Sequence, residues 1–560
     1  MEGNGLYDAS EPPGKYTLGV VEGQEFDVVT VGNHELYIVA TAAREFEVVV
    51  PRFGEAYLAS NVDFFDPKTG SWVPLARRYR KFQTANQNLT ILAFGFLFDF
   101  KGNANNTRVQ PVADTVKEDW FQDAIRDSEV DLFVIAGHVP VRDSPEFDAV
   151  FKAIREVRWD TPMVFFGGHT HVRDWRRWDS RAWGVESGRY METIGFVSID
   201  GITPKSAAQY EITHAAPGLN KQDTDANLKP ENLLRKSPTY SRLYIDSNLY
   251  SLHHHSNTNS TTFPTTPGTK ISEAITSARA SMNLDHTFGC APHSYYLTRA
   301  PYPSDSSLLT LLDTHILPDI FTNANSTQNP AIVMTNSGAL RFDVFAGRVT
   351  EDTTYLLSPF LSGFRQIKNV PFGVADKVLE LLNSGGQVLG MLAEMGEREG
   401  LGVGVDDLRG PKAPASPHSS NIPQSSDLVI ADGSAQTPFI SHDSKDKEPT
   451  LPGYTTHDDS GSDGDDTIHK ALVFYNVPNC IASEIGFVSS DALIAKPETV
   501  DLVYNEFIQN WVLLALRFLG MKYGVGDTEV AAQGRTLTGV IREWVVENWE
   551  CEDEKGNTVR

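Results

Sequence analysis

The sequence predicts an α/β chain of more than one domain, and three observations carry that expectation. Apolar, strand-like runs alternate with amphipathic segments through the first two hundred residues. The 560 residues exceed the roughly 100–200 of a single domain. Hydrophobic residues make up 40% of the chain, enough for sizeable cores.

The elements follow in order. "EFDVVTVGNHE" reads as a strand entering a Gly-led turn, and "NLTILAFGFLF" as a second strand. "TVKEDWFQDAIRD" has helical periodicity and precedes the apolar strand "VDLFVIAGHVPV". "EFDAVFKAIREV" is helical again, and "TPMVFFGGHTH" is the next strand. Strand, helix and strand at these lengths predict βαβ units and a mainly parallel sheet. "YMETIGFVSID" reads as a further strand, and "RDWRRWDSRAW" as a loop packed at the domain edge. The first domain with its linker is placed at 1–265. The second occupies 266–398 and 453–560, with "NPAIVMTNSGALRF" among its strands. Tyr504, Phe507, Trp511, Leu514 and Phe518 fall at helical spacing, as do Leu537, Ile541, Trp544 and Val545. The stretch 399–452 lacks aromatic anchors and periodicity, so it cannot offset its ordering entropy and reads as a disordered insert.

A net charge of −25 excludes a sequence-independent nucleic-acid binder, which needs a basic surface. A small anionic substrate stays open, because local cations reverse the field of one cleft. No apolar run of about 20 residues exists to span a membrane. Three cysteines, Cys290, Cys480 and Cys551, exclude a disulfide scaffold and leave a single bridge open. Asn88, Asn105, Asn259 and Asn325 open N-x-Ser/Thr sequons in polar stretches, which favours a secreted or vacuolar, endomembrane-lumen protein over a cytoplasmic one.

Three strands end alike. Gly32, Asn33 and His34 follow the first; Gly137 and His138 another; Gly168, His169 and His171 a third. Open α/β sheets place ligands beyond the carboxyl ends of their strands, so these groups converge on one rim. Imidazole suits zinc, manganese or iron, and an amide oxygen is a harder donor. One such histidine is ordinary loop chemistry; three Gly-His turns after three strands point to metal.

The trio GNHE, GH and GHTH, in this order, resembles the calcineurin-like metallophosphoesterases. "VESGRYMETIGFVSID" and "VMTNSGALRFDVFAGRVT…SPFLSGF" narrow the resemblance to the 5'-nucleotidase branch, especially its fungal members. The resemblance implies an αββα metallophosphoesterase sandwich followed by a 5'-nucleotidase-type α/β domain. It also implies two divalent metals, zinc, manganese or similar, and hydrolysis of a nucleotide. Asn33, His138 and His169 match ligands of one metal, and His171 a ligand of the other. His34 matches the histidine that stabilises the transition state or protonates the leaving oxygen. Asn336 and Arg341 match substrate-site residues, an arginine fork suiting phosphate oxygens. Phe364 matches an aromatic that stacks on the base, with core packing the even alternative. Hydrolysis of another small phosphoester or a nucleotide sugar, and binding without turnover, are the competing functions.

Two departures bear on this expectation. The family's Asp-x-His and bridging Gly-Asp are not in the sequence, whose opening "MEGNGLYDAS" resembles the stretch directly after that Gly-Asp. The chain is therefore expected to begin inside a motif and to be impaired. Two divalent ions about 3.5 Å apart repel by roughly 19 kcal/mol at an effective dielectric of about 20, so a neutral donor set predicts at most one metal. Tyr37 also stands where many nucleotidases carry an aspartate that orients the catalytic histidine. The run His253–His255 lacks a carboxylate at fitting spacing and reads as surface or packing. Asp458, Asp459, Asp463, Asp465 and Asp466 lack EF-hand spacing and read as a solvated acidic turn.

Overall fold

A computed structural model describes residues 3–171, 173–202, 204, 238–323, 329–360, 362–398, 403, 475–487, 489–490, 493–494, 496–552 and 558–559. Apart from Val403, the insert expected over 399–452 lies outside them, as does the aspartate cluster. The chain divides into two compact units: Glu25–Pro264 with Pro414–Leu472, and Met1–Gln24 with Thr265–Ala413 and Val473–Arg560.

The first unit is built on a six-stranded sheet: β1 (Tyr79–Gln83), β2 (Thr90–Leu97), β3 (Leu132–His138), β4 (Met163–Gly167), β5 (Arg173–Asp179) and β6 (Ala182–Ser187), in the order β5-β6-β4-β3-β2-β1. β2, β3, β4 and β6 run parallel, with β1 and β5 antiparallel at the two edges. All eight residues of β2 are buried, as a strand covered on both faces requires. Phe94, Phe96, Phe133 and Phe165 pack on Phe121 and on Phe147 of helix α1 (Pro145–Val157). Ser144 caps that helix by accepting from the Phe147 amide.

Two readings are corrected here, and a third strand forms where it was expected. "RDWRRWDSRAW" is no loop: it forms the hairpin β5–β6. Its charged residues mask the strand signal, and they are paired with α1: Arg176 with Asp148 of that helix, and Asp179 with Arg155 of that helix. The strand expected before GNHE shrinks to Val29–Thr30, paired with Tyr57–Leu58. "TIGFVSID", Thr193–Asp200, pairs antiparallel with Thr239–Asp246 in a separate two-stranded sheet.

The second unit centres on β7 (Ala331–Asn336), β8 (Gly363–Pro371), β9 (Cys480–Ile485), β10 (Thr499–Asn505) and β11 (Glu529–Thr536), ordered β9-β7-β10-β8-β11. Side chains alternate across it. Ala331 and Val333 join one core with Ile541 and Trp544 of the helix Leu537–Asn548. Ile332 and Met334 join the other with the helices Phe372–Leu382 and Gln509–Phe518. The latter helix starts later than its periodicity implied: Tyr504 belongs to β10, and Phe507 to a 3-10 turn. Residues 3–24, read from the sequence with the first domain, pack in this unit. Gly5 donates its amide to Asp352 at 2.8 Å, and Gly23 lies against Ile271. A disulfide joins Cys290 to Cys551 across a sequence separation of 261, and Cys480 is free and buried.

Candidate active site

In the first unit the candidate residues sit where the parallel strands end. β2 and β3 run in register up to Leu97 and His138. The next residue, Phe98, donates its amide to the His138 carbonyl at 3.2 Å and stacks its ring on His169, centroids 4.4 Å apart. Beyond β4, Gly168 donates to the Val139 carbonyl at 3.0 Å, tying the GHTH turn to the loop after β3. His169 and His171 both take positive φ, 80° and 64°. Side chains other than glycine rarely adopt that region, and such strain recurs where a turn must aim groups at a ligand.

The result is convergence. His169 Nδ1 lies 3.2 Å from His138 Nε2. Burial, then the neighbouring imidazoles of His169, His34 and His171, push the His138 pKa well below its usual value. The ring is therefore neutral, with a lone pair to offer. A Cβ on Gly32 would stand 3.4 Å from His138 Nδ1 and 2.9 Å from Glu35 Oε2, so the GNHE turn passes close to the imidazole. Glu35 holds this turn by accepting from the Gly32 amide at 3.1 Å. Asn33 is 4% exposed; its Nδ2 donates to Tyr37 Oη at 3.0 Å, and its Oδ1 is buried with no hydrogen-bond partner among the described residues.

These donors fit a divalent cation. Two nitrogens each about 2.0–2.1 Å from a tetrahedral ion stand about 3.3–3.4 Å apart, close to the separation seen. A buried amide oxygen without a hydrogen-bond partner, as Asn33 Oδ1 is, is otherwise costly. Among the described residues, however, no three His, Cys, Asp or Glu side chains are grouped to hold a metal by themselves. An ion at this imidazole pair would need a third donor of another kind, and the Asn33 amide is of the right chemistry.

Sequence reasoning missed Phe98 and Glu186. Glu186, on β6, is 2% exposed; it accepts from the Thr170 hydroxyl at 2.5 Å and from the Val141 amide at 3.0 Å. One carboxylate therefore pins the GHTH turn to the loop after His138. Burial pushes its pKa up to about 8. The available signal was a lone acid in the otherwise apolar run "AWGVES".

The remaining predicted residues lie in the second unit. Asn336 ends β7 and is 1% exposed. The Arg341 guanidinium lies over the Phe360 ring, 4.9 Å from its centroid. Phe364 does not face solvent: at 1% exposure it sits in the core, its ring against Phe321. A ring so enclosed has no face for a base. The aromatic surface at this edge is instead Phe360 stacked with Phe507, centroids 6.2 Å apart, with Phe507 37% exposed. β7 and β10 are parallel and β8 antiparallel to them, so Asn336, Phe507 and the residues leading into β8 share one sheet edge.

Comparison with known proteins agrees with this architecture. The calcineurin-like phosphoesterase family matches residues 6–173, and the C-terminal domain of NAD nucleotidase matches 294–513. An uncharacterized protein of Schizosaccharomyces pombe is 33% identical over 98% of this chain and 79% of its own length. A protein of Arthroderma benhamiae named "Secreted protein" is 30% identical over 98% of this chain and 82% of its own. The crystal structure of 5'-nucleotidase from Candida albicans matches with a TM-score of 0.74 at 31% identity, covering 98% of this chain and 88% of that one. A 5'-nucleotidase precursor from Thermus thermophilus shares the fold at 12% identity, with a TM-score of 0.52 over 97% of this chain and 85% of that one. Calcineurin-like phosphoesterases are generally dependent on divalent metals. With a phosphoesterase unit followed by a nucleotidase C-terminal unit, the chain belongs to the 5'-nucleotidase branch of the calcineurin-like phosphoesterases, a family of hydrolases.

Proposed function

We propose that the chain hydrolyses phosphomonoesters of nucleosides with one divalent ion held by Asn33, His138 and His169. The observation that carries this reading is the facing pair of imidazole nitrogens, 3.2 Å apart, with Asn33 Oδ1, in the turn that passes His138, buried and without a hydrogen-bond partner among the described residues. A bound ion supplies Lewis acidity toward a phosphoryl oxygen and lowers the pKa of water. His34, in the same turn as Asn33, donates the proton to the leaving ester oxygen. His171 is the family's ligand to a second ion. Amide and imidazoles bring no negative charge to offset repulsion between two ions, which favours one. Asn336, Arg341 and the stacked Phe360 and Phe507 take the nucleotide, with the paired rings as platform for the base.

The setting we propose is a secretory or vacuolar lumen. The Cys290–Cys551 disulfide belongs to an oxidising compartment. Asn88, Asn105 and Asn259 are exposed sequon residues; Asn325 lies outside the described residues. The name of the Arthroderma relative points the same way. No helix among the described residues is long and apolar enough to cross a membrane.

The test is phosphate release from AMP by the manganese- or zinc-loaded chain, compared with a nucleotide sugar and p-nitrophenyl phosphate. His138→Ala should abolish both ion binding and turnover, a loss beyond the roughly 100-fold that an outer-shell change costs. Turnover of the other esters without AMP would move the substrate assignment. Ion binding with no turnover of any ester would make the chain a binding protein.

A further inference from the structure

We infer that Glu186 is a positioning residue of the metal site: through Thr170 it holds the GHTH turn in the strained shape that brings His169 against His138. The inference rests on the metal reading above and deepens it. His169 and His171 both lie in the left-handed region, at φ 80° and 64°, with Thr170 between them. Side chains other than glycine are disfavoured there, so such residues persist only where their surroundings over-determine them. The sheet does not do this by itself, because β4 ends at Gly167, before the turn begins.

Glu186 supplies the hold. Its backbone stands in register with Gly167 in the parallel pair of β6 and β4, so it is anchored in the sheet where the turn leaves it. Its Oε1 accepts from the Thr170 hydroxyl at 2.5 Å, and its Oε2 accepts from the Val141 amide at 3.0 Å. One carboxyl group therefore grips the residue between the two left-handed histidines and, at its other end, the loop that follows His138. The packing around it is close: a Cβ on Gly167 would stand 2.7 Å from the Val139 carbonyl oxygen and 3.2 Å from Glu186 Cγ. Glu186 is 2% exposed, so water has no ready access to replace either bond. With Thr170 released, the two histidines are free to leave the left-handed region, and the 3.2 Å approach of His169 to His138 is lost. Glu186 acts through the turn and not on the ion, since among the described residues it belongs to no group of three His, Cys, Asp or Glu side chains able to hold a metal.

The experiment measures manganese and zinc binding to the full chain by isothermal titration calorimetry, well below the melting temperature of each protein. The proteins are the parent, Thr170→Val, Thr170→Ser, Glu186→Leu, and the double variant Thr170→Val with Glu186→Leu. Thr170→Val keeps the shape of the side chain and deletes the hydroxyl; it should weaken binding about 10-fold or more, as loss of an outer-shell partner does. Thr170→Ser keeps the hydroxyl and should stay within about 3-fold of the parent, less than a hydrogen bond is worth. Glu186→Leu should weaken binding at least as much as Thr170→Val. The double variant should match Glu186→Leu within about 2-fold, because both changes cut the same bond. Penalties that multiply in the double variant, or a Thr170→Ser as weak as Thr170→Val, overturn the inference while the metal site stands. Lower melting temperatures with unchanged ion affinity make Glu186 merely structural and overturn it as well. Where Glu186→Leu does not fold, the contrast of Thr170→Val with Thr170→Ser decides alone. Failure of the parent to bind either ion overturns the metal site and the role of Glu186 with it.

Discussion

The two sheets carry their candidate residues in different ways. In the unit built on β1–β6, the groups lie in turns just past strand ends: Asn33 and His34 after Val29–Thr30, His138 closing β3, His169 and His171 after β4. There the backbone leaves one direction for a side chain, toward the rim. In the unit built on β7–β11, they lie at the end of a strand, as Asn336 does, at its start, as Phe364 does, or beside it, and direction within a strand depends on register. Phe364, second in β8, points inward opposite Asn505 and Ala531, whereas Phe360, four residues earlier, stays at the edge with Phe507. A motif in a turn thus reports geometry, while a motif in a strand reports only one of two faces.

The largest effect that should separate the units is redox. Cys551→Ser, or reductant on the parent, should cost the β7–β11 unit about 2–5 kcal/mol. Hydrogen exchange should show lost protection in β7 and β10 with β2 and β3 unchanged, because the described disulfide belongs to one unit only. Equal losses in both sheets would break the contrast.

A pH effect should mark the other unit. Glu45 is 5% exposed, receives the Tyr57 hydroxyl at 2.5 Å, and is pushed up to about 7, first by burial and then by the Glu35 charge. Between the usual carboxyl value near 4.5 and 7, the folded unit holds a proton that the unfolded chain has released. Its contribution is therefore complete below about 4.5 and is lost as pH rises through 7. Glu45→Gln keeps an acceptor for Tyr57 and should remove up to roughly 3 kcal/mol of that pH dependence. Urea unfolding of β1–β6 at pH 5 and pH 8 reads it; an unchanged slope would show that another group is responsible.

The smallest expected change tests the aromatic reassignment. Phe507→Ala should weaken nucleoside monophosphate binding by about 1–3 kcal/mol if the base stacks there. Phe364→Leu should alter stability and leave affinity unchanged. A reversal of those outcomes, measured by fluorescence titration, would restore Phe364 to the site.

Much of the first unit was legible because its signals are local. Apolar runs such as "VDLFVIAGH" and "TPMVFFGGHTH" became β3 and β4, and their Gly-His ends met. What escaped depended on partners distant in sequence. The arginines of β5 read as loop until Asp148 neutralised Arg176, and Glu186 read as an ordinary strand residue until Thr170 and Val141 came to it. Tyr37 was visible as a departure from the expected aspartate; its bond to Asn33 was not, because a short 3-10 turn over Asn33–Glu35 and the bend after it bring the two together. The attachment of residues 3–24 to Asp352 and Ile271 is a long-range contact that no local pattern encodes.

The strand order β9-β7-β10-β8-β11 has a consequence for synthesis on the ribosome. β10 lies between β7 and β8, yet it is translated after both. At about 5–20 residues per second, the interval from Pro371 to Thr499 lasts roughly 6–26 s. Throughout that time β7 and β8 have emerged with the edges that β10 will cover unpaired, and open edges recruit foreign strands. A pause in elongation before Thr499 would lengthen that exposure.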